Sequence, residues 1–144
     1  MKMLVCTDGS EQSEKAVQEA SKLAKAIAGV KVVLLNIYEG SPLPMYGEDV
    51  STMVRDEFKE AKEQEGKRIL EEARKVFQER GVEPETRLQR GHPSTCIIKT
   101  AAEEDFDMVV MGSRGLSGFK KLLLGSVSNA VVQEARCNVL VVKK

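Results

Sequence analysis

This sequence predicts an α/β fold, a parallel sheet covered by helices on both faces, and three observations carry that prediction. Short runs of strand length alternate with segments of helical period along the whole chain. Several of those runs are predominantly apolar rather than alternating, as strands buried on both faces are. The chain has 144 residues, the length of one ordinary domain of roughly 100–200 residues, so a single domain over 1–144 is expected.

The elements follow in order. Leu4, Val5 and Cys6 read as a buried strand that ends in the turn Thr7-Asp8-Gly9-Ser10. Ser10 is placed to cap the helix that follows. There Ala16, Val17, Ala20, Leu23, Ala24 and Ile27 fall on one face at the 3.6-residue period. Gly29 stands where a helix end favours a left-handed residue. Val30 to Ile37 is the second strand. Tyr38 to Val50 contains Gly40, Pro42, Pro44 and Gly47 and reads as a long loop, either a lid or binding loop or a surface excursion.

Ser51 to Arg80 is a charged helical segment with Ala61, Ile69, Leu70, Ala73, Val76 and Phe77 on its apolar face, interrupted in composition by Gly66. Its eight acids and eight bases are interspersed, as on a solvated face. After Gly81, Val82, Pro84, Thr86 and Leu88 alternate with polar neighbours, and Pro84 marks an edge strand. Pro93 suits the first turn of a third helix over 94–102. Phe106 to Met111 is a further apolar strand ending at Gly112. Ser126 begins a fourth helix with Val127, Ala130 and Val131 inward, and Val139 to Val142 is the last strand.

Composition excludes several function classes. The 22 basic and 22 acidic residues cancel, so the chain as a whole is no polyanion binder. Six aromatic residues without Trp argue against a base-stacking platform for nucleic acid. Cys6, Cys96 and Cys137 are far apart and odd in number, which suggests reduced thiols rather than a disulfide framework or metal cluster. His92 is the single histidine, which nearly excludes a zinc site or a Ser-His-Asp relay. The first apolar run, Met3 to Cys6, is too short for a signal peptide and no run approaches about 18 apolar residues, so a soluble cytoplasmic protein without membrane contact is expected.

In doubly wound sheets, ligands bind beyond the carboxyl ends of the strands where the strand order reverses. Two strand ends stand out here. One is Thr7-Asp8-Gly9-Ser10. The other runs from Gly112-Ser113-Arg114-Gly115 to Gly125-Ser126-Val127-Ser128. Its glycines let backbone amides approach a phosphate, and it leads into a helix N-terminus that favours negative charge. It carries Arg114, Lys120 and Lys121, with no Asp or Glu from Met108 to Gln133, where about four would be expected by composition. Neither the Walker-type phosphate loop nor the dinucleotide fingerprint occurs.

The spacing Gly112-x2-Gly115-x9-Gly125-Ser126 resembles the nucleotide-binding signature of the universal stress protein family, and the opening Thr7-Asp8-Gly9-Ser10 resembles it too. The resemblance covers essentially the whole chain. It implies a five-stranded parallel sheet of order 3-2-1-4-5, which brings Asp8 and Gly112 together. It further implies ATP binding, with AMP or ADP as alternatives. Asp8 and Gly112 would hold the ribose. Thr7, the backbone at Ile37, and Met111 would lie near the adenine. Gly115, Gly125, Ser126, Val127 and Ser128 would hold the phosphates, with Mg2+ alongside, and Arg114 would add charge. Many members carry a proline before the Thr-Asp pair; here Cys6 stands there. The resemblance also implies a homodimer through the last strand, which as an apolar edge invites pairing.

The leading expectation is an ATP-binding regulatory protein of the stress response, in which nucleotide orders the glycine loop and changes contact with a protein partner. A slow ATPase or a nucleotidyl or phosphoryl transferase is the alternative, for which Asp8 is the only acid near the site. A nucleotide-free dimeric interaction module is another. A phosphoacceptor domain fits least, because the other central strand ends carry no carboxylate.

Overall fold

Among the described residues nine elements alternate: β1 (Lys2–Cys6), α1 (Glu11–Ala26), β2 (Lys31–Tyr38), α2 (Thr52–Gln78), β3 (Glu85–Arg90), α3 (Pro93–Glu103), β4 (Met108–Gly112), α4 (Ser126–Glu134) and β5 (Asn138–Val142). The computed structural model describes residues 1–40, 52–114 and 124–143. The strands form one sheet of order β3-β2-β1-β4-β5. Every pairing is parallel: Leu4 stands beside Val33 on one side and Val109 on the other, Leu34 beside Thr86, and Val109 beside Val139. The order therefore reverses between β1 and β4, and all strand ends of one sense lie along one edge of the sheet.

Two apolar layers sandwich the sheet. Met3, Val5, Leu34 and Val110 face α1 and α2, meeting Ala16, Val17, Ala20, Leu70, Ala73 and Phe77. Leu4, Val33, Leu35 and Val109 face the other way, toward Ile97 and Ala101 of α3 and Val131 of α4. Alternate side chains of one strand are thus buried on opposite faces, which is why the central strands show no polar alternation.

Local chemistry sets the element ends. Ser10 caps α1, its hydroxyl accepting the Ser13 N–H at 3.2 Å. The helix ends at Ala26, and Gly29 lies in the following turn at φ +71°. α2 passes through Gly66 unbroken. A Cβ at Gly66 would lie 2.5 Å from Leu88 Cδ1 and 2.7 Å from Asn36 Oδ1, so the missing side chain lets the helix sit down on β2 and β3. Pro93 is in the first turn of α3, and β3 after Pro84 is the edge strand that the proline marked. Phe106 falls outside β4: its N–H bonds the Ala101 carbonyl at the end of α3, and its ring is buried in the second layer. The reason is that the helix end captures this backbone before the strand begins.

Among the described residues no helix is long and apolar enough to cross a membrane. Among them, too, no cluster of three His, Cys, Asp or Glu side chains could hold a metal. The segment 41–51 and the segment 115–123, with Gly115, Lys120 and Lys121, lie outside the described residues.

Candidate functional site

The reversal of strand order puts the ends of β1 and β4 side by side, and both meet the first turn of α1. At the end of β1 the Thr7 N–H donates to the Leu35 carbonyl at 3.0 Å, continuing the β1–β2 pairing by one residue. The Asp8 carboxylate accepts the Ser10 N–H at 2.9 Å and closes the turn. Gly9 takes φ +82°, the left-handed conformation that glycine adopts at least cost.

Ser13 is the hub of this turn. Its hydroxyl has one proton, which goes to the Ser10 carbonyl at 2.9 Å. The 3.2 Å contact with Thr7 Oγ1 is therefore a bond in which Thr7 donates. The Asp8 N–H also donates to Ser13 Oγ, at 3.3 Å. The Thr7 carbonyl accepts from Asn36 Nδ2 at 2.8 Å. Asn36 is the single polar side chain in the middle of β2 and is only 4% exposed. Cys6 is buried just before this turn. Burial first, and the Asp8 charge second, push its thiol up to about 12, so it stays protonated and inert as a nucleophile near neutral pH.

On the β4 side, Gly112 packs directly on α1. A Cβ there would lie 2.9 Å from the carbonyl carbon of Gln12 and 3.0 Å from the Ser13 nitrogen, both main-chain atoms. The next residue, Ser113, is held from three directions. Its N–H donates to the Val142 carbonyl at 2.9 Å. Its carbonyl accepts the Gly125 N–H at 2.7 Å and the Ser128 hydroxyl, also at 2.7 Å. Its own hydroxyl donates to Gln12 Oε1 at 2.8 Å. Ser128, 1% exposed, shares its proton with the Gly125 carbonyl at 3.1 Å and so ties Gly125 to Ser113.

α4 starts at Ser126 with Gly125 as its N-cap, which has no side chain to cap it. The first intrahelical bond runs from the Asn129 N–H to the Gly125 carbonyl at 2.9 Å. The N–H groups of Ser126, Val127 and Ser128 therefore precede the helical ladder, and with the helix dipole they favour an anion.

The structure thus brings together Thr7, Asp8, Gly112, Gly125, Ser126, Val127 and Ser128 around the β1–β4 reversal. Arg114 follows at the same edge, half-buried, with its Cα 3.4 Å from where a Gly125 Cβ would stand. Met111 is buried among the second layer, and Ile37 packs against that layer near the end of β2. Gly115 lies outside the described residues. His92 stands at the end of the edge strand as the N-cap of α3, with Nδ1 3.1 Å from Ser94 Oγ. Gln12, Ser13 and Asn36 escape a reading of motifs, and Ser113 lies within the glycine stretch but receives no role from it. For Asn36 a signal was present, one amide inside an otherwise apolar strand.

The fold and this edge define a doubly wound α/β protein whose strand order reverses between β1 and β4, the place where such folds bind ligands. The chain belongs to the Universal stress protein family, whose model matches residues 1–143. It is 36% identical over 148 residues to Universal stress protein YxiE of Bacillus subtilis (strain 168), covering 99% of this chain and 98% of that protein. A universal stress protein crystallised in complex with cAMP is 30% identical, with a TM-score of 0.73 over 99% of this chain and 96% of that one. The universal stress protein of Archaeoglobus fulgidus in complex with dAMP is 25% identical, with a TM-score of 0.68 over 99% of this chain and 98% of that one.

Proposed function

We propose that this chain is a nucleotide-binding regulatory protein that takes ATP, with ADP or AMP as alternatives, at the β1–β4 crevice. The observation that carries the reading is the start of α4. A helix N-terminus capped by Gly125, which has no side chain, opens beside the β1–β4 reversal, in a stretch without an acid from Met108 to Gln133. Relatives crystallised with cAMP and dAMP support an adenine nucleotide.

In this reading Asp8 and Gly112 hold the ribose, and Thr7, the Ile37 backbone and Met111 border the adenine. The amides of Gly115, Ser126, Val127 and Ser128 meet the phosphates, with Gly125 leaving room and Arg114 adding charge. Mg2+ would neutralise phosphate charge and take most of its ligands from phosphate and water. Bound nucleotide would order the Gly112–Gly125 loop and shift the population competent for a protein partner, in the cytoplasm and in response to stress. The apolar edge strand β5 supports a homodimer through Val139–Val142, half-buried in the single chain.

The test is calorimetric titration of nucleotide-stripped protein with ATP, ADP, AMP and GTP, each with Mg2+, beside Gly125→Val. Micromolar ATP binding that the variant loses supports the site. Equal ATP affinity in the variant overturns it, and a monomer in sedimentation at micromolar concentration overturns the dimer.

A further inference from the structure

The first turn of α1 touches both halves of the crevice, and it reaches the β4 side through one side-chain hydrogen bond. Ser113 uses its main chain on β5 and α4: the N–H goes to Val142, and the carbonyl receives Gly125 and Ser128. Its hydroxyl alone turns toward α1, donating to Gln12 Oε1 at 2.8 Å. One residue away, Gly112 abuts the Gln12 and Ser13 main chain with no space for a Cβ. Ser13 in turn holds Thr7 and Asp8. A continuous chain of contacts therefore runs from the β1 turn through α1 to the start of α4.

We propose that Gln12 and Ser113 form a positioning pair that sets the start of α4 relative to the Thr7–Asp8 turn, and so matches the phosphate end of the crevice to the nucleoside end. The inference rests on the nucleotide-binding reading given above. Ser113 is only 4% exposed, so its hydroxyl acts through Gln12 rather than by touching ligand. The physical consequence is selective. Adenosine spans only the nucleoside end and does not require the two ends to be in register. ATP spans both and does. Loss of the pair therefore weakens ATP while sparing adenosine.

The pair is tested by a double-mutant cycle with Gln12→Met, which keeps length and removes the acceptor, and Ser113→Ala, which removes the donor. Adenosine and ATP are titrated into wild type, both single variants and the double variant, and thermal unfolding is followed in each. Each single variant is expected to lower the ratio of ATP to adenosine affinity by about three- to tenfold, the range one neutral hydrogen bond supplies. The double variant is expected to be no worse than either single one, because the pair is lost only once. Wild-type binding with an ATP-to-adenosine ratio unchanged in the variants overturns the pair and leaves the nucleotide reading standing. Additive losses, or equal losses for both ligands that follow the fall in melting temperature, overturn the pair as well by making each residue's role merely structural. Absence of binding by the wild type overturns both readings.

Discussion

The Asn36 side-chain amide donates to the Thr7 carbonyl at 2.8 Å, across the gap between the ends of β2 and β1, and both residues are buried. Thr7 is the last residue before the Asp8 turn, where regular β pairing stops. Its carbonyl has left the ladder, and Asn36 supplies the donor that would otherwise be missing. A buried carbonyl without a partner costs about 1–3 kcal/mol.

Asn36→Leu is accordingly expected to destabilise the protein by about that amount. Asn36→Asp is the sharper variant. As a carboxylate it sets acceptor against acceptor; once protonated it can donate again. Its deficit relative to wild type in urea unfolding is therefore expected to shrink between pH 7 and pH 4. A deficit that is constant over that range would mean that Asn36 matters only for its volume.

Gly66→Ala tests the packing of α2. Helix propensity alone predicts a gain of about 0.8–1.0 kcal/mol. The Cβ would instead meet Asn36 Oδ1 at 2.7 Å, and Asn36 is not free to swing because its nitrogen is engaged by Thr7. Overpacking of this kind costs about 1–3 kcal/mol. The expected outcome is a net loss of stability in denaturant unfolding, and a gain would show that α2 shifts outward at little cost.

Gly112→Ala is expected to be costly at both levels. The neighbours of the added carbon are main-chain atoms of Gln12 and Ser13, which cannot move without shifting α1. A loss of about 1–3 kcal/mol in unfolding free energy is expected, with weakened ATP affinity in the same preparation. Wild-type stability would contradict the close contact of β4 and α1.

Cys6 gives the protein an alkaline limit. Its thiol ionises at the ordinary value of 9.0 in the unfolded chain and at about 12 in the fold, because burial and then Asp8 oppose the thiolate. The unfolded chain thus loses its proton first. The contribution is fully present below pH 9 and is lost as pH rises from 9 toward 12, with a slope of at most about 1.4 kcal/mol per unit. Urea unfolding at pH 8, 9 and 10 is expected to show this fall, and Cys6→Ala to flatten it. Equal slopes in both proteins would assign the alkaline loss to other groups.

Much of this molecule is legible in one dimension. Apolar runs at Leu4–Cys6 and Val30–Ile37 are strands because their residues must be covered on both faces. Ser10 announces the start of α1, Pro93 that of α3, and Pro84 an edge, because caps and prolines act on their own backbone. Gly66 was ambiguous for the same reason. A local rule sees a weak helix former, whereas Asn36 and Leu88, which explain it, are 30 and 22 positions away in sequence.

The sequence by itself determined the order of elements, the family, and the two unusual strand ends at Thr7–Ser10 and Gly112–Arg114, since each depends on residues within a few positions of one another. The tertiary structure alone decided which groups hold those turns in register: Asn36 on Thr7, Gln12 on Ser113, and Gly112 against the first turn of α1. Such contacts depend on strand order and on the direction of single side chains. They join residues up to 101 positions apart, as Gln12 and Ser113 are, and no local pattern of charge or period encodes a partner at that distance.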